Sequence, residues 1–137
     1  MKEVLSIHVL CTQTQTVHGG FGDAAMVYFE GTAESAYFRG RVLEGGCDTQ
    51  RITDGQLRLS ARYILEGTDA EGRNCRVFVE NNGTASGQPS DGLLRTQPIL
   101  LTDSPALRWL EKAKLTGTAE GEGEDRVHIR IYAEDRA

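Results

Sequence analysis

The chain has 137 residues, 39% of them hydrophobic and 26% charged, with a formal net charge of −5. That length predicts one domain, residues 1–137, burying roughly 70% of its unfolded surface in a core that needs no metal or disulfide staple. The acidic balance argues against a nucleic-acid or anionic-membrane partner, and aromatics are not interleaved with Lys and Arg as in a single-strand binder.

Three cysteines, Cys11, Cys47 and Cys75, are odd in number and widely spaced, which fits neither a zinc site nor a disulfide framework. The run Val4 to Leu10 is interrupted by Ser6 and His8, and no stretch approaches the roughly 18 apolar residues of a membrane helix. The expected setting is the cytoplasm, with free thiols.

From Glu3 to Thr12, Leu5, Ile7, Val9 and Cys11 share one face of a strand, leaving His8 on the other as a solvated or interface residue. Residues Thr12–Gly22, polar and glycine-bearing, read as a loop carrying His18. Two runs, Met26–Gly31 and Ala36–Leu43, form a hairpin whose second arm puts Arg39 and Arg41 on one face.

Gly45 and Gly46 follow. They permit positive backbone angles or a bulge, so the side to which Asp48 points is left open; it can cap its own turn or serve as an acid or base. After the Asp54-Gly55 turn comes the clearest strand, with Leu57, Leu59, Ala61, Tyr63 and Leu65 on the inner face and Arg58, Ser60, Arg62 and Ile64 on the outer. Tyr63 is either a core tyrosine satisfied by backbone or a proton donor.

The Asp69–Gly72 turn leads to Cys75, Val77, Val79 and, by the same parity, Asn81. Tyr63 and Asn81 are therefore the polar groups expected inside adjacent strands. Asn82–Gly92 reads as a loop of about ten residues, and Leu93–Leu101 as a strand in which Pro98 marks an edge or a bulge. Ser104-Pro105 starts one short helix with Leu107, Leu110 and Ala113 on its apolar side and Trp109 beside them. A strand begins within Lys112–Thr118, Ala119–Asp125 is a turn, and Val127, Ile129 and Ile131 define the last strand.

About eight to nine short strands with hairpin turns and one short helix predict an all-β fold, an antiparallel closed or nearly closed β-barrel, with a sandwich as the alternative. Ile64, exposed beside Arg62, suggests that part of the outside is covered in a homo-oligomer, first of all a dimer. Asp48, Tyr63 and Asn81 are the candidate catalytic residues: base, acid or oxyanion donor, and polarising amide. Arg62, Trp109 and Glu80 are the candidate ligand-binding residues, with Arg62 or Arg39 suited to a carboxylate and Trp109 to an apolar wall. No nucleotide-binding glycine loop, nucleophile elbow or His-rich metal motif is present, so no metal or cofactor is expected.

The runs GGCDTQ from Gly45, SARY ending at Tyr63, VEN at Val79–Asn81, TQP at Thr96–Pro98, TDS at Thr102–Ser104 and WL at Trp109–Leu110 stand in an order that resembles the family called domain of unknown function 3237. The resemblance runs from about Ala36 to Tyr132; the amino-terminal third is less like the family. It implies a compact antiparallel β-barrel, commonly oligomeric, with no general assigned activity. The residues themselves leave three readings: a cofactor-independent isomerase or lyase acting by proton transfer on a small molecule, a noncatalytic binding barrel, or an oligomeric scaffold.

Overall fold

Alternating residues along the chain become nine antiparallel strands, described here in a computed structural model over residues 1–87 and 91–134. In order they are β1 Lys2–His18, β2 Gly22–Glu34, β3 Phe38–Val42, β4 Cys47–Thr53, β5 Gln56–Asp69, β6 Asn74–Ala85, β7 Leu94–Thr102, β8 Leu115–Gly123 and β9 Arg126–Ala133, with a 3₁₀ turn at Arg108–Glu111. The sheet runs β1-β9-β8-β7-β6-β5, continues through β3 and β4 to β2, and closes where β2 pairs with β1. The result is a closed eight-stranded barrel with one extra strand, and closure leaves few free edges.

The extra strand arises because β3 and β4 share one place in the wall. Both lie between β2 and β5: β3 against the far ends of its neighbours, β4 against the near ends. Val42 faces Leu65 and Cys47 faces Arg62, so five steps along this wall answer three along β5. The interruption inserts two residues, an even number, and side-chain parity survives it. Gly45 supplies the turn with a φ of 106°, and Gly46 sits against Phe29 and Val42.

One half of the barrel is packed solid. Ile7, Phe38, Leu65, Val77, Val79, Leu100 and Ile131 are 0–2% exposed there. Leu107 and Leu110, on and beside the 3₁₀ turn, close that end. Asp69, buried at the end of β5, accepts hydrogen bonds from the backbone N–H groups of Glu71 and Arg73 and, at 2.8 Å, from the Ser104 hydroxyl, and so ties the plug to the β5–β6 turn.

Several boundaries differ from the sequence expectation. Thr12–Gly22 is no loop: β1 runs to His18 and pairs with β2 down to Asp23. Beyond Leu10 β1 has no β9 partner, and from Thr12 to His18 both of its faces are solvated, so no hydrophobic period marks this ribbon. Ala119–Asp125 is mostly strand, with the turn confined to Glu124 and Asp125. The second hairpin arm starts at Phe38, because Ser35 Oγ accepts the N–H groups of Tyr37 and Phe38 and holds a turn.

Strand β6 takes up Asn82–Ala85 of the expected long loop, whose residues 88–90 lie outside the described ones. The expected helix is only a 3₁₀ turn beginning at Arg108, with Ser104 Oγ accepting the Leu107 N–H at 3.3 Å ahead of it. Pro98 lies past the end of the β7–β8 ladder, which stops at Thr96, as suits a residue without an N–H. Among the described residues no helix is long and apolar enough to cross a membrane.

Candidate functional site

The other half of the barrel is hollow. A cavity of about 200 Å³ lies between the strands, floored by buried Phe29, Ala61, Asn81, Thr96 and Ile129 and rimmed by half-buried Val27, Leu57, Leu59, Leu94 and Val127. Its lining is mostly apolar, with a few polar side chains set into it, as small-molecule sites commonly are.

Those polar groups stand on β4, β6 and β7, with β5 between the first two. In the register Asp48 on β4 lies opposite Ala61 on β5, and Ala61 lies opposite Asn81 on β6. Directly paired residues share a face, so the carboxylate and the amide flank the small Ala61 side chain, two strand spacings or roughly 10 Å apart at the backbone. Asp48 points inward because the glycine interruption preserved parity, which sequence reasoning had left open.

Asp48 Oδ2 accepts a hydrogen bond from Gln50 Nε2 at 2.9 Å, while Oδ1 is buried without a partner among the described residues. Burial pushes the Asp48 carboxyl above its ordinary value, only partly opposed by the Gln50 hydrogen bond. Asn81 is 2% exposed, and its Oδ1, like Thr96 Oγ1, finds no partner among the described residues. Tyr63, one inward position along β5 from Ala61, is fully buried edge-on to Phe29 with its hydroxyl likewise unpartnered. Burial and then the charge of Asp48 raise its pKa, so the phenol keeps its proton. An elevated carboxyl beside a firmly protonated phenol is a base and donor pairing.

The remaining sequence candidates lie elsewhere. Arg62 and Glu80 face each other on the outer wall, 3.5 Å apart, and Glu80 also accepts from Asn82 Nδ2. Trp109 belongs to the plug at the closed end, edge-on to Tyr37 with ring centroids 6.1 Å apart. None of these three lines the cavity.

Sequence reasoning passed over Gln50, Thr96 and Cys11, which do. Gln50 was legible as the next same-face residue after Asp48, and Thr96 lies within the TQP run. Burial, followed by the charges of Asp125 and Asp48, pushes the Cys11 thiol up, so it does not offer a thiolate.

Comparison with known proteins gives the fold company but no chemistry. No curated protein matches the sequence. Among solved structures the chain is similar to a protein with unknown function from Clostridium acetobutylicum ATCC 824, with 25% identity, 98% of each chain covered and a TM-score of 0.82. It is similar to a conserved protein of unknown function from Rhodopseudomonas palustris at 24% identity, over 96% of this chain and 95% of that one, with a TM-score of 0.80. An enzyme from Penicillium herquei shares the fold at 15% identity, over 97% of this chain and 92% of that one, with a TM-score of 0.67. The family model described as a protein of unknown function, DUF3237, matches residues 1–133, and so takes in the amino-terminal third that resembled the family less. With all nine strands inside the matched span, the chain belongs to the DUF3237 family.

Proposed function

We propose that the protein binds a small, largely apolar molecule bearing one polar function in the barrel cavity, and moves a proton on it. The observation that carries this reading is the set of buried polar atoms around the cavity, Asp48 Oδ1, Asn81 Oδ1 and Thr96 Oγ1 on its wall and Tyr63 Oη beside it, none of which has a partner among the described residues. Unpaired buried polar groups cost about 1–3 kcal/mol each, a penalty that a complementary ligand relieves. The cavity, about 200 Å³, falls below the roughly 300–1,000 Å³ of sites for drug-sized ligands, so its occupant is a compact molecule.

The chemistry the side chains suit is enolisation. Asp48 takes a proton from a carbon next to a carbonyl. The electron pair moves to the carbonyl oxygen, which accepts hydrogen bonds from the Asn81 amide N–H and the Tyr63 O–H, and Asp48 returns the proton to a neighbouring carbon. No oxidant, metal or second substrate is required for the balance. Positioned acid–base groups contribute about a hundred to ten thousandfold to such steps.

The test uses small carbonyl compounds in two stages. A melting-temperature screen finds ligands, since a compound at a hundred times its Kd adds about 2.7 kcal/mol to stability. Proton NMR in deuterium oxide then follows exchange at the ligand's α-carbon. The expected result is a ligand whose exchange is accelerated by the protein and not by Asp48→Asn. Binding without accelerated exchange overturns the proton-transfer part and leaves a noncatalytic binder; a screen with no stabilising compound overturns both.

A second copy of the chain is the proposed partner. On the outer wall Ile64 lies opposite Phe78 and Phe78 opposite Leu101, with Ile99 one outward position away, and Ile64, Ile99 and Leu101 are 39–52% exposed. Such a contiguous apolar patch across β5, β6 and β7 suits a self-complementary interface.

A further inference from the structure

On the opposite wall, where the first strand meets the last two, the barrel gathers two histidines and a carboxylate that the cavity does not use. His8 on β1 lies directly opposite His128 on β9, and their rings stack with centroids 4.1 Å apart. Glu122 reaches over both: its Oε2 is 3.1 Å from His8 Nδ1 and its Oε1 is 3.4 Å from His128 Nδ1. We propose that His8, Glu122 and His128 form a binding site for a divalent transition-metal ion, of which zinc is the reference case.

Three features of the backbone build the site. Gly121 pairs with Val127 and Gly123 with Arg126, which leaves Glu122 as the unpaired residue of a β-bulge between two glycines. A bulge re-aims a side chain, and here it brings the carboxylate onto the imidazole pair. The histidines are a directly opposed pair on the outer face, so register alone holds their rings together.

The third feature is the Ser6 hydroxyl, 2.7 Å from His128 Nε2. By engaging the far nitrogen it orients the ring and leaves Nδ1 toward the carboxylate, the arrangement by which outer-shell partners prepare metal-ligating histidines.

The donor set selects the ion. One ligand atom from each residue lies within 4.8 Å of the others. Each imidazole Nδ1 is 3.1–3.4 Å from one of the two Glu122 oxygens, close to the roughly 3.3 Å separation that ligands take around a tetrahedral zinc with bonds of about 2.0–2.1 Å. Two imidazoles and one carboxylate suit zinc, cobalt or nickel; calcium and magnesium prefer an all-oxygen shell. His8 and Glu122 also border an open surface groove with Thr32 and Arg126, so a fourth coordination position faces solvent. The site has no local sequence motif, because its ligands sit on three strands more than a hundred residues apart along the chain for two of the three pairs.

The experiment titrates untagged protein, freed of metal by chelation, with zinc by calorimetry and with cobalt by visible absorption at neutral pH. One ion per chain is expected, with a cobalt spectrum of a low-symmetry nitrogen and oxygen site. His8→Ala and Glu122→Gln, both at side chains open to solvent, are expected to weaken zinc binding by at least about tenfold, and Ser6→Ala by about 10- to 100-fold. His18→Ala, which removes an exposed histidine–carboxylate pair away from the site, is expected to leave it unchanged. Absence of saturable zinc and cobalt binding overturns the proposal, as does binding that survives both His8→Ala and Glu122→Gln while far-ultraviolet circular dichroism shows those variants folded.

Discussion

Asp48 and Asn81 stand on either side of Ala61, one strand away in each direction, and both reach the same cavity. Ala61 is therefore the gap between the two polar groups. Ala61→Leu puts about three more carbons into that gap. At about 0.8 kcal/mol per buried CH₂ the variant is expected to gain up to about 2.4 kcal/mol in denaturant unfolding, less any strain. It is also expected to lose the ligand-induced rise in melting temperature. An unchanged ligand response would mean that ligands bind elsewhere.

Asp48→Asn separates function from stability. Because burial holds the folded-state pKa of Asp48 above its ordinary value of 3.8, the folded protein binds more protons than the unfolded chain in the window just above that value. Stability tied to this group is thus greatest at acid pH and declines as pH rises through the folded pKa. The Asn variant lacks the buried charge, so it is expected to melt higher than the parent at neutral pH, with the difference closing as the pH approaches 3.8. Melting curves across this range check it, and a lower melting temperature for the variant at neutral pH would contradict it.

Asp69 carries the opposite sign. The Ser104 hydroxyl, then the backbone N–H groups of Arg73 and Glu71, hold its carboxyl below the ordinary value. Its contribution is complete above that value and disappears as pH falls toward the folded pKa. Ser104→Ala removes the strongest of these bonds and the anchor of the 3₁₀ turn, with an expected loss of about 1–3 kcal/mol at neutral pH. The loss is expected to shrink below pH 3.8. Equal loss at all pH values would assign it to packing of the plug alone.

Leu101→Glu places a charge within the outer apolar patch formed with Ile64 and Phe78, at its most exposed residue. If a second copy covers this face, sedimentation at micromolar concentration is expected to show the parent as an oligomer and the variant as a monomer with an unchanged circular dichroism spectrum. A monomeric parent removes that partner.

The readable part of this protein was its alternation. Ala61 to Leu65 and Cys75 to Asn81 each bury every second side chain, so the strands, their inner faces and the inward placement of Tyr63 and Asn81 followed from a period of two. Where both faces meet solvent, as in Thr12–His18, no period exists and the strand went unseen. What the linear order could not decide was everything that depends on register between distant segments. The inward aim of Asp48 required counting residues across the β3–β4 interruption against β5, Arg62 and Glu80 became outward partners only through strand pairing, and Glu122 met His8 and His128 only because a bulge in β8 faced the seam where the first and last strands join. Local alternation is a property of one strand, whereas a site is a property of several, and the hydrogen-bonded register that brings them together forms only when the barrel closes.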